Sequence, residues 1–117
     1  MGEKKQIKEI TLKLGYYPSK SDKENGIYSG GVCEPKYVDE LKMNISEDYE
    51  FDMDNEEFKK NGMYALEISG SERALEEFGK FLINVAMFQT DDEDYHEHID
   101  NLLNNNGDAA VNLTIRK

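Results

Sequence analysis

The sequence predicts an α+β fold, with one mainly antiparallel or mixed sheet of four to six short strands and a single long helix packed on one face. The main observation is a change of hydrophobic period, from two over residues 63–69 to three and four over residues 72–88. Elsewhere, alternating apolar runs are separated by turn-rich segments, which favours hairpin connections between strands. The length of 117 residues suits one domain, so residues 1–117 are expected to fold together.

The central element is a strand followed at once by the helix. Met63–Ser69 is predicted to be an inner strand, because its apolar side chains alternate with polar or small ones and define one buried face. Ser71 is the predicted N-cap, since its hydroxyl can accept a free backbone N–H of the first helical turn. The helix is predicted to end at Phe88, with Leu82 against the sheet. Its apolar positions cover more than half of the circumference, so the apolar side chains that do not face the sheet must be covered by a loop or by a partner.

The first half of the chain, residues 1–62, is predicted to hold more variable elements. Residues 7–14 alternate and indicate a first strand, and residues 15–36 are rich in Gly, Pro and Ser and form either a long loop or a ragged hairpin. A second strand is predicted over residues 37–45. The acidic run 47–57 is expected to be a strand or an extended edge, and residues 58–62 are expected to form a turn.

The rest of the chain, residues 63–117, is predicted to form a core of strand, helix, strand and strand. After the helix, residues 90–94 are an acidic connector that leads to a short strand over residues 95–100. Residues 104–108 have the composition of a turn. A last strand is predicted over residues 111–116, because apolar and polar side chains alternate there.

The net charge of the chain limits which kinds of molecule can be its partner. The chain holds 25 acidic and 14 basic residues, a net charge of −11. Residues 1–23 hold six lysines and three acids, hence +3, so the remainder carries −14. Such an acidic surface repels nucleic acid and anionic membranes and attracts a basic protein. Neither a signal peptide nor an apolar run of membrane-spanning length is found, so a cytoplasmic location is expected.

His96 and His98 are the two histidines, and alternation places them on one face of a strand together with Asp94 and Asp100. Two imidazoles and nearby carboxylates can bind zinc, but a site needs a further well-placed ligand, which the sequence does not identify. The sequence therefore predicts no metal, no cofactor and no catalytic residue. Cys33, the single cysteine, is expected to be inert. A small metal-dependent or small-molecule enzyme using His96 and His98 is the alternative.

Four short features of the second half form a set. They are Leu66-Glu67-Ile68-Ser69-Gly70-Ser71, the Leu- and Phe-bearing helix after it, His96-Glu97-His98-Ile99-Asp100, and Gly107 before Val111-Asn112-Leu113-Thr114-Ile115. Together they resemble a family of bacterial immunity proteins from polymorphic toxin systems, immunity protein family thirty-two. Glu97 departs from the apolar residue expected between the histidines. The resemblance covers residues 63–117 and implies a non-enzymatic protein that binds and neutralises a cognate toxin.

The predicted function is that of an acidic binding protein, an immunity protein that neutralises a basic toxin by direct contact. Negative charge would speed association with such a partner, and exposed tyrosines would anchor the complex. A homodimeric structural or adaptor subunit is a further alternative. The residues expected to contact the partner are Tyr49, Glu50, Asp52, Asp92, Asp94, Tyr95, His96 and His98, with Tyr49 and Tyr95 as the exposed anchors.

Overall fold

The computed structural model of the chain describes residues 2–117, and for Asn101 it describes the backbone alone. The strands form two sheets, one with the order β1-β2 and one with the order β4-β3-β5-β6. The elements in chain order are β1 (Tyr16–Asp22), β2 (Ile27–Val32), a 3₁₀ turn (Val38–Glu40), β3 (Lys42–Asp52), β4 (Glu57–Ser69), α1 (Glu72–Met87), β5 (His96–Leu103) and β6 (Ala110–Arg116). The predicted α+β class is confirmed, but the prediction of one sheet is wrong, because among the described residues β1 and β2 pair only with each other.

The four-stranded sheet is mixed. β3 is antiparallel to β4, β5 is antiparallel to β6, and β3 runs parallel to β5 where Lys42 lies opposite Leu103. Because α1 carries the chain from β4 past β3 to β5, β4 remains at the edge of the sheet. The prediction of an inner strand over Met63–Ser69 is therefore wrong. Alternation shows which side chains share a face of a strand, but it does not show whether the strand pairs with one neighbouring strand or with two.

Helix α1 begins as predicted. The hydroxyl of Ser71 accepts the backbone N–H of Ala74 at 3.2 Å, and Phe88 is the C-cap residue. Only part of the wide apolar arc is covered: Phe81 is 3% exposed and Leu82 is 38% exposed. The expectation that Leu82 is buried against the sheet is wrong. The remaining exposed apolar side chains of the helix are Leu75, Ile83 and Met87.

The core is a single cluster that joins the helix to strands from both halves of the chain. It combines Val85 of α1 with Met43 of β3 and Leu102 of β5, each about 2% exposed. The full set is Val32, Leu41, Met43, Ala74, Phe78, Phe81, Val85, Phe88, Tyr95, Ile99 and Leu102. The packing of the helix against one single sheet face stays a prediction.

The first half differs most from expectation. Residues 2–15 have no regular secondary structure, so the strand predicted over residues 7–14 is wrong. No strand pairs with this segment, and its Ile10 instead lines a groove with Gly79 and Ile83 of the helix. Of the two alternatives for residues 15–36, the structure has the ragged hairpin. β1 and β2 pair with an irregularity between Tyr17 and Lys20.

The acidic run belongs to a long hairpin. β3 spans Lys42–Asp52, so the strand predicted over residues 37–45 is wrong at both ends: Val38–Glu40 form a 3₁₀ turn, and the strand continues seven residues further. The turn spans residues 53–56, and residues 58–62, predicted to form the turn, lie inside β4. Glu56 has a positive φ of 54°, the backbone conformation of a tight turn. Over residues 2–117, no helix is both long and apolar enough to span a membrane.

Candidate partner-binding surface

The distal half of the β3–β4 hairpin projects beyond the core. Leu41 and Met43, at its base, are 2% exposed, whereas Ile45, two residues further along β3, is 63% exposed. The aromatic side chains nearer the turn, Tyr49 and Phe51, are also about half exposed. The molecule is correspondingly elongated, with a longest dimension of 63 Å. The hairpin therefore presents apolar side chains that the fold itself does not cover.

Cross-strand register separates the hairpin into an apolar face and a polar face. Ile45 pairs with Leu66, and Phe51 pairs with Phe58. Directly paired residues share a face, and alternation along β3 puts this face on the same side as the buried Met43. Its apolar side chains, which we call the hairpin apolar face, are Ile45, Tyr49, Phe51, Phe58, Tyr64 and Leu66, with exposed fractions from 48% to 74%. Glu47, opposite Tyr64, and Lys60, opposite Tyr49, lie on the same side and form an ion pair at 2.7 Å.

The acids near the turn have two roles. The carboxylate of Asp52 accepts hydrogen bonds from the side chain of Asn55 at 2.8 Å and from the backbone N–H of Asp54 at 3.0 Å, and it pairs with Lys59 at 3.2 Å. The hydrogen bonds from Asn55 and Lys59 hold the pKa of Asp52 below its usual range. Asp52 therefore stabilises the turn. Glu50 is exposed on the polar face.

The two histidines lie at the start of β5. Their rings meet edge to face with centroids 4.6 Å apart. Nδ1 of His96 lies 2.6 Å from the backbone oxygen of Asp94, and because that oxygen only accepts, the nitrogen carries the proton. Nδ1 of His98 lies 3.0 Å from Oγ1 of Thr114. Among the described side chains, no group of three or more His, Cys, Asp or Glu residues is arranged to hold a metal ion.

The second acidic cluster, residues 91–94, is tied to the β1–β2 hairpin. Asp91 pairs with Lys23 at 3.1 Å, and this contact lowers the pKa of Asp91 and raises the pKa of Lys23. Oδ1 of Asp92 accepts the backbone N–H of Asp94 at 3.0 Å, which closes a local turn. Asp91 and Asp92 therefore have contacts within the fold, while the carboxylate of Asp94 is exposed.

Tyr95 is not an exposed anchor. Its side chain is 8% exposed, stacks on Phe88 at a centroid distance of 4.7 Å, and donates a hydrogen bond to Glu97 at 2.8 Å. Burial, with a further contribution from the hydrogen bond to Glu97, raises the pKa of Tyr95. The expectation of an exposed Tyr95 is wrong, because β5 turns the odd-numbered side chains from Tyr95 to Ile99 inward.

The predicted contact residues fall into two groups at opposite ends of the sheet. β3 runs from Lys42 to the hairpin turn, whereas β5 runs from His96 up to Leu103, which lies opposite Lys42. At about 3.3 Å per residue, the two ends are separated by roughly 55 Å along the sheet. The structure thus brings Tyr49, Glu50 and Asp52 together at one end and Asp92, Asp94, His96 and His98 together at the other.

Of the six side chains of the hairpin apolar face, only Tyr49 is among the contact residues predicted from the sequence. The sequence predicts a turn at Phe58 and a buried face for Tyr64 and Leu66, and it predicts no contact role for Ile45 and Phe51. Apolar residues recur at every second position both in a strand that faces a core and in a strand that faces solvent. The alternation of Tyr49 and Phe51 with acids is also the pattern of a half-buried strand, so it gives no signal that these side chains are exposed.

Comparison with known proteins gives one match. Residues 65–116 match the sequence model of a protein family described as Immunity protein 32. This confirms the resemblance inferred for the second half of the chain, and the matched segment runs from within β4 through α1 and β5 into β6. No curated protein and no solved structure matches the chain.

Proposed function

We propose that this chain is an immunity protein that neutralises a cognate bacterial toxin by direct binding, without catalysis. The match of residues 65–116 to the Immunity protein 32 family is the observation that carries the proposal. The matched segment contains the helix and the strands that supply most of the core, so the likeness concerns the part of the chain that holds the fold together.

The net charge of the protein supports a basic toxin as the partner. At −11, the protein attracts a basic protein over long range and repels polyanions. Opposite charges raise the rate of encounter and disfavour acidic competitors, while affinity comes from buried aromatic and apolar contacts. We therefore assign a basic toxin as the partner. In this proposal the two proteins meet in the cytoplasm, and no metal or cofactor takes part.

The proposal predicts that a gene next to this one encodes a toxin domain, and co-expression of that domain with this protein tests it. Cells that carry the toxin domain alone should stop growing, and cells that also carry this protein should grow. The two proteins should elute together from a sizing column at a fixed ratio. A matched control is the Phe81→Asp variant, which places an unpaired carboxylate in the core and should abolish protection by unfolding.

Two results would contradict the proposal. Growth arrest that persists with the folded wild-type protein would remove the immunity role. Protection without formation of a complex would instead indicate that the protein modifies the toxin or its product, which is the behaviour of an enzyme.

A further inference from the structure

We propose that the hairpin apolar face is the surface that receives the basic partner. This inference rests on the proposed function and names the surface that it uses. The face extends the side of the sheet that holds the buried Met43 past the end of the core, where Ile45 and Leu66 are paired and exposed. Near the turn, the rings of Phe51 and Phe58 meet at a centroid distance of 5.2 Å and are still 48% and 71% exposed.

The dimensions suit the apolar centre of a protein interface. From Met43 to Phe51 the ribbon spans roughly 26 Å, and two strands are about 10 Å wide, which gives roughly 260 Å². A stable interface buries about 800 Å² on each partner, with an apolar centre and a polar rim. The hairpin apolar face supplies the centre. Polar groups border it at two places: the Glu47–Lys60 ion pair lies on the same face, and the acids of the turn, Asp54 and Glu56, lie at its end.

The charge of the hairpin favours one kind of binding partner over another. The distal part of the hairpin, residues 45–66, contains seven acids and two lysines, so it carries −5. The lysines, Lys59 and Lys60, pair with Asp52 and Glu47, and the other five acids have no cation partner in the hairpin. A second copy laid on the same face would bring another −5 against it, which is repulsive. A partner with basic side chains around an apolar patch would relieve the repulsion and bury the aromatic side chains. The occupant is therefore a basic protein rather than a second copy.

The free edge of β4 is a less suitable surface. The register of the hairpin shifts between Glu47 and Tyr49, and the extra residues of β4 lie around Gly62, whose φ is 83°. Asn61 at this irregularity donates to Asp48 at 2.8 Å. Irregularities of this kind and edge lysines, here Lys59, disfavour the addition of a further strand. The side chains of the hairpin apolar face are therefore better suited than the edge of β4 to contact the partner.

Most of this surface lies outside the segment that matches the family. The match begins at residue 65, whereas β3 and the first part of β4 precede it. Of the six side chains of the face, only Leu66 is inside the matched segment. The first half of the chain would then determine which partner is bound, and the second half would supply most of the core that supports the hairpin.

The test is the affinity of purified variants for the toxin domain that the proposed function predicts next to this gene. Tyr49→Ala and Phe58→Ala should each raise the Kd at least tenfold. Two controls match them in exposure. Met63→Ala changes a 60% exposed side chain on the other face of the same hairpin, and Tyr17→Ala changes a 71% exposed tyrosine of β1. Both controls should stay within twofold of wild type.

The outcomes separate the two proposals. Binding by the wild type that Tyr49→Ala and Phe58→Ala leave unchanged would overturn this surface and leave the immunity role in place. A wild-type dimer in light scattering that Phe58→Ala converts to a monomer would make a second copy the occupant and would also overturn it. Absence of binding by the folded wild type would remove both proposals. Melting temperatures of all variants show whether each is folded.

Discussion

The hydroxyl of Tyr95 donates a hydrogen bond to Oε1 of Glu97 at 2.8 Å, and the same oxygen accepts the backbone N–H of Val32 at 3.1 Å. These contacts explain why a carboxylate occupies an inward position of β5. They also connect the β1–β2 hairpin to the part of the chain that matches the family. Asn84 adds a second connection, because its side-chain amide donates to the backbone oxygen of Gly15 at 2.9 Å.

The first prediction concerns this junction. Glu97→Ala should lower the free energy of unfolding by about 1–3 kcal/mol, because it leaves the Tyr95 hydroxyl and the Val32 N–H without their acceptor. Urea unfolding measures the change. The control is Glu93→Ala, at an exposed acid of the neighbouring connector, which should change stability by less than about 0.5 kcal/mol. Equal effects of the two substitutions would show that the Glu97 contacts contribute nothing specific.

The second prediction compares two adjacent positions of α1. Phe81 is 3% exposed and Leu82 is 38% exposed. Phe81→Ala should cost about 3–5 kcal/mol, because it removes a large side chain from the core and leaves a cavity. Leu82→Ala should cost about 1 kcal/mol or less. Denaturant unfolding of the two variants tests this, and a larger loss for Leu82→Ala would mean that the helix presents a different side to the core.

The third prediction concerns pH. Glu40 accepts hydrogen bonds from Arg73, one of them from Nε at 3.0 Å, and from the hydroxyl of Ser71, and these lower its pKa from 4.5 to about 2. A carboxyl with a lowered folded-state pKa stabilises the fold above its unfolded pKa, and this contribution is lost as pH falls towards the folded value. The contribution of Glu40 should therefore disappear between about pH 4.5 and pH 2.

The measurement is the melting temperature of wild type and Glu40→Gln across that range. The wild type should melt higher at pH 6, and the two curves should converge towards pH 2. A difference that stays constant with pH would show that the ionised carboxylate is not the stabilising species. Asp39→Asn is the control, since Asp39 is the exposed acid immediately before Glu40.

The fourth prediction concerns the rate of association. Neutralising two exposed acids at the hairpin end, Glu50→Gln with Asp54→Asn, should slow binding of the basic partner at low salt. The control changes the charge equally at the other end of the sheet, through Glu93→Gln with Asp94→Asn. Stopped-flow measurements should show a larger effect for the hairpin pair. The difference should shrink as salt rises, because charges are screened over about 10 Å at 0.1 M ionic strength. A wild-type on-rate for the hairpin pair would exclude a role for charge at the hairpin end, and equal slowing of both double variants would show that only the net charge matters.

Local sequence patterns were sufficient to predict part of the fold. The change of period and the capping hydroxyl of Ser71 located α1 to within one residue at each end. β6 and the start of β5 also followed from alternation, and the α+β class followed from the sum. The candidate site was predicted in part: Tyr49, Glu50 and Asp52 lie together on the hairpin, whereas Phe58, Tyr64 and Leu66 were assigned elsewhere.

The sequence alone determined which segments alternate, where the helix starts, and how acidic the molecule is, because these properties depend on neighbours a few positions apart. Only the tertiary structure decided that β4 is an edge strand, that Tyr95 is buried, and that the apolar side of the hairpin is exposed. Burial depends on which elements lie across each face. Met43 belongs to the buried cluster that includes residues of α1, whereas Ile45 and the residues beyond it are exposed, so the same alternating pattern is core at one end and surface at the other.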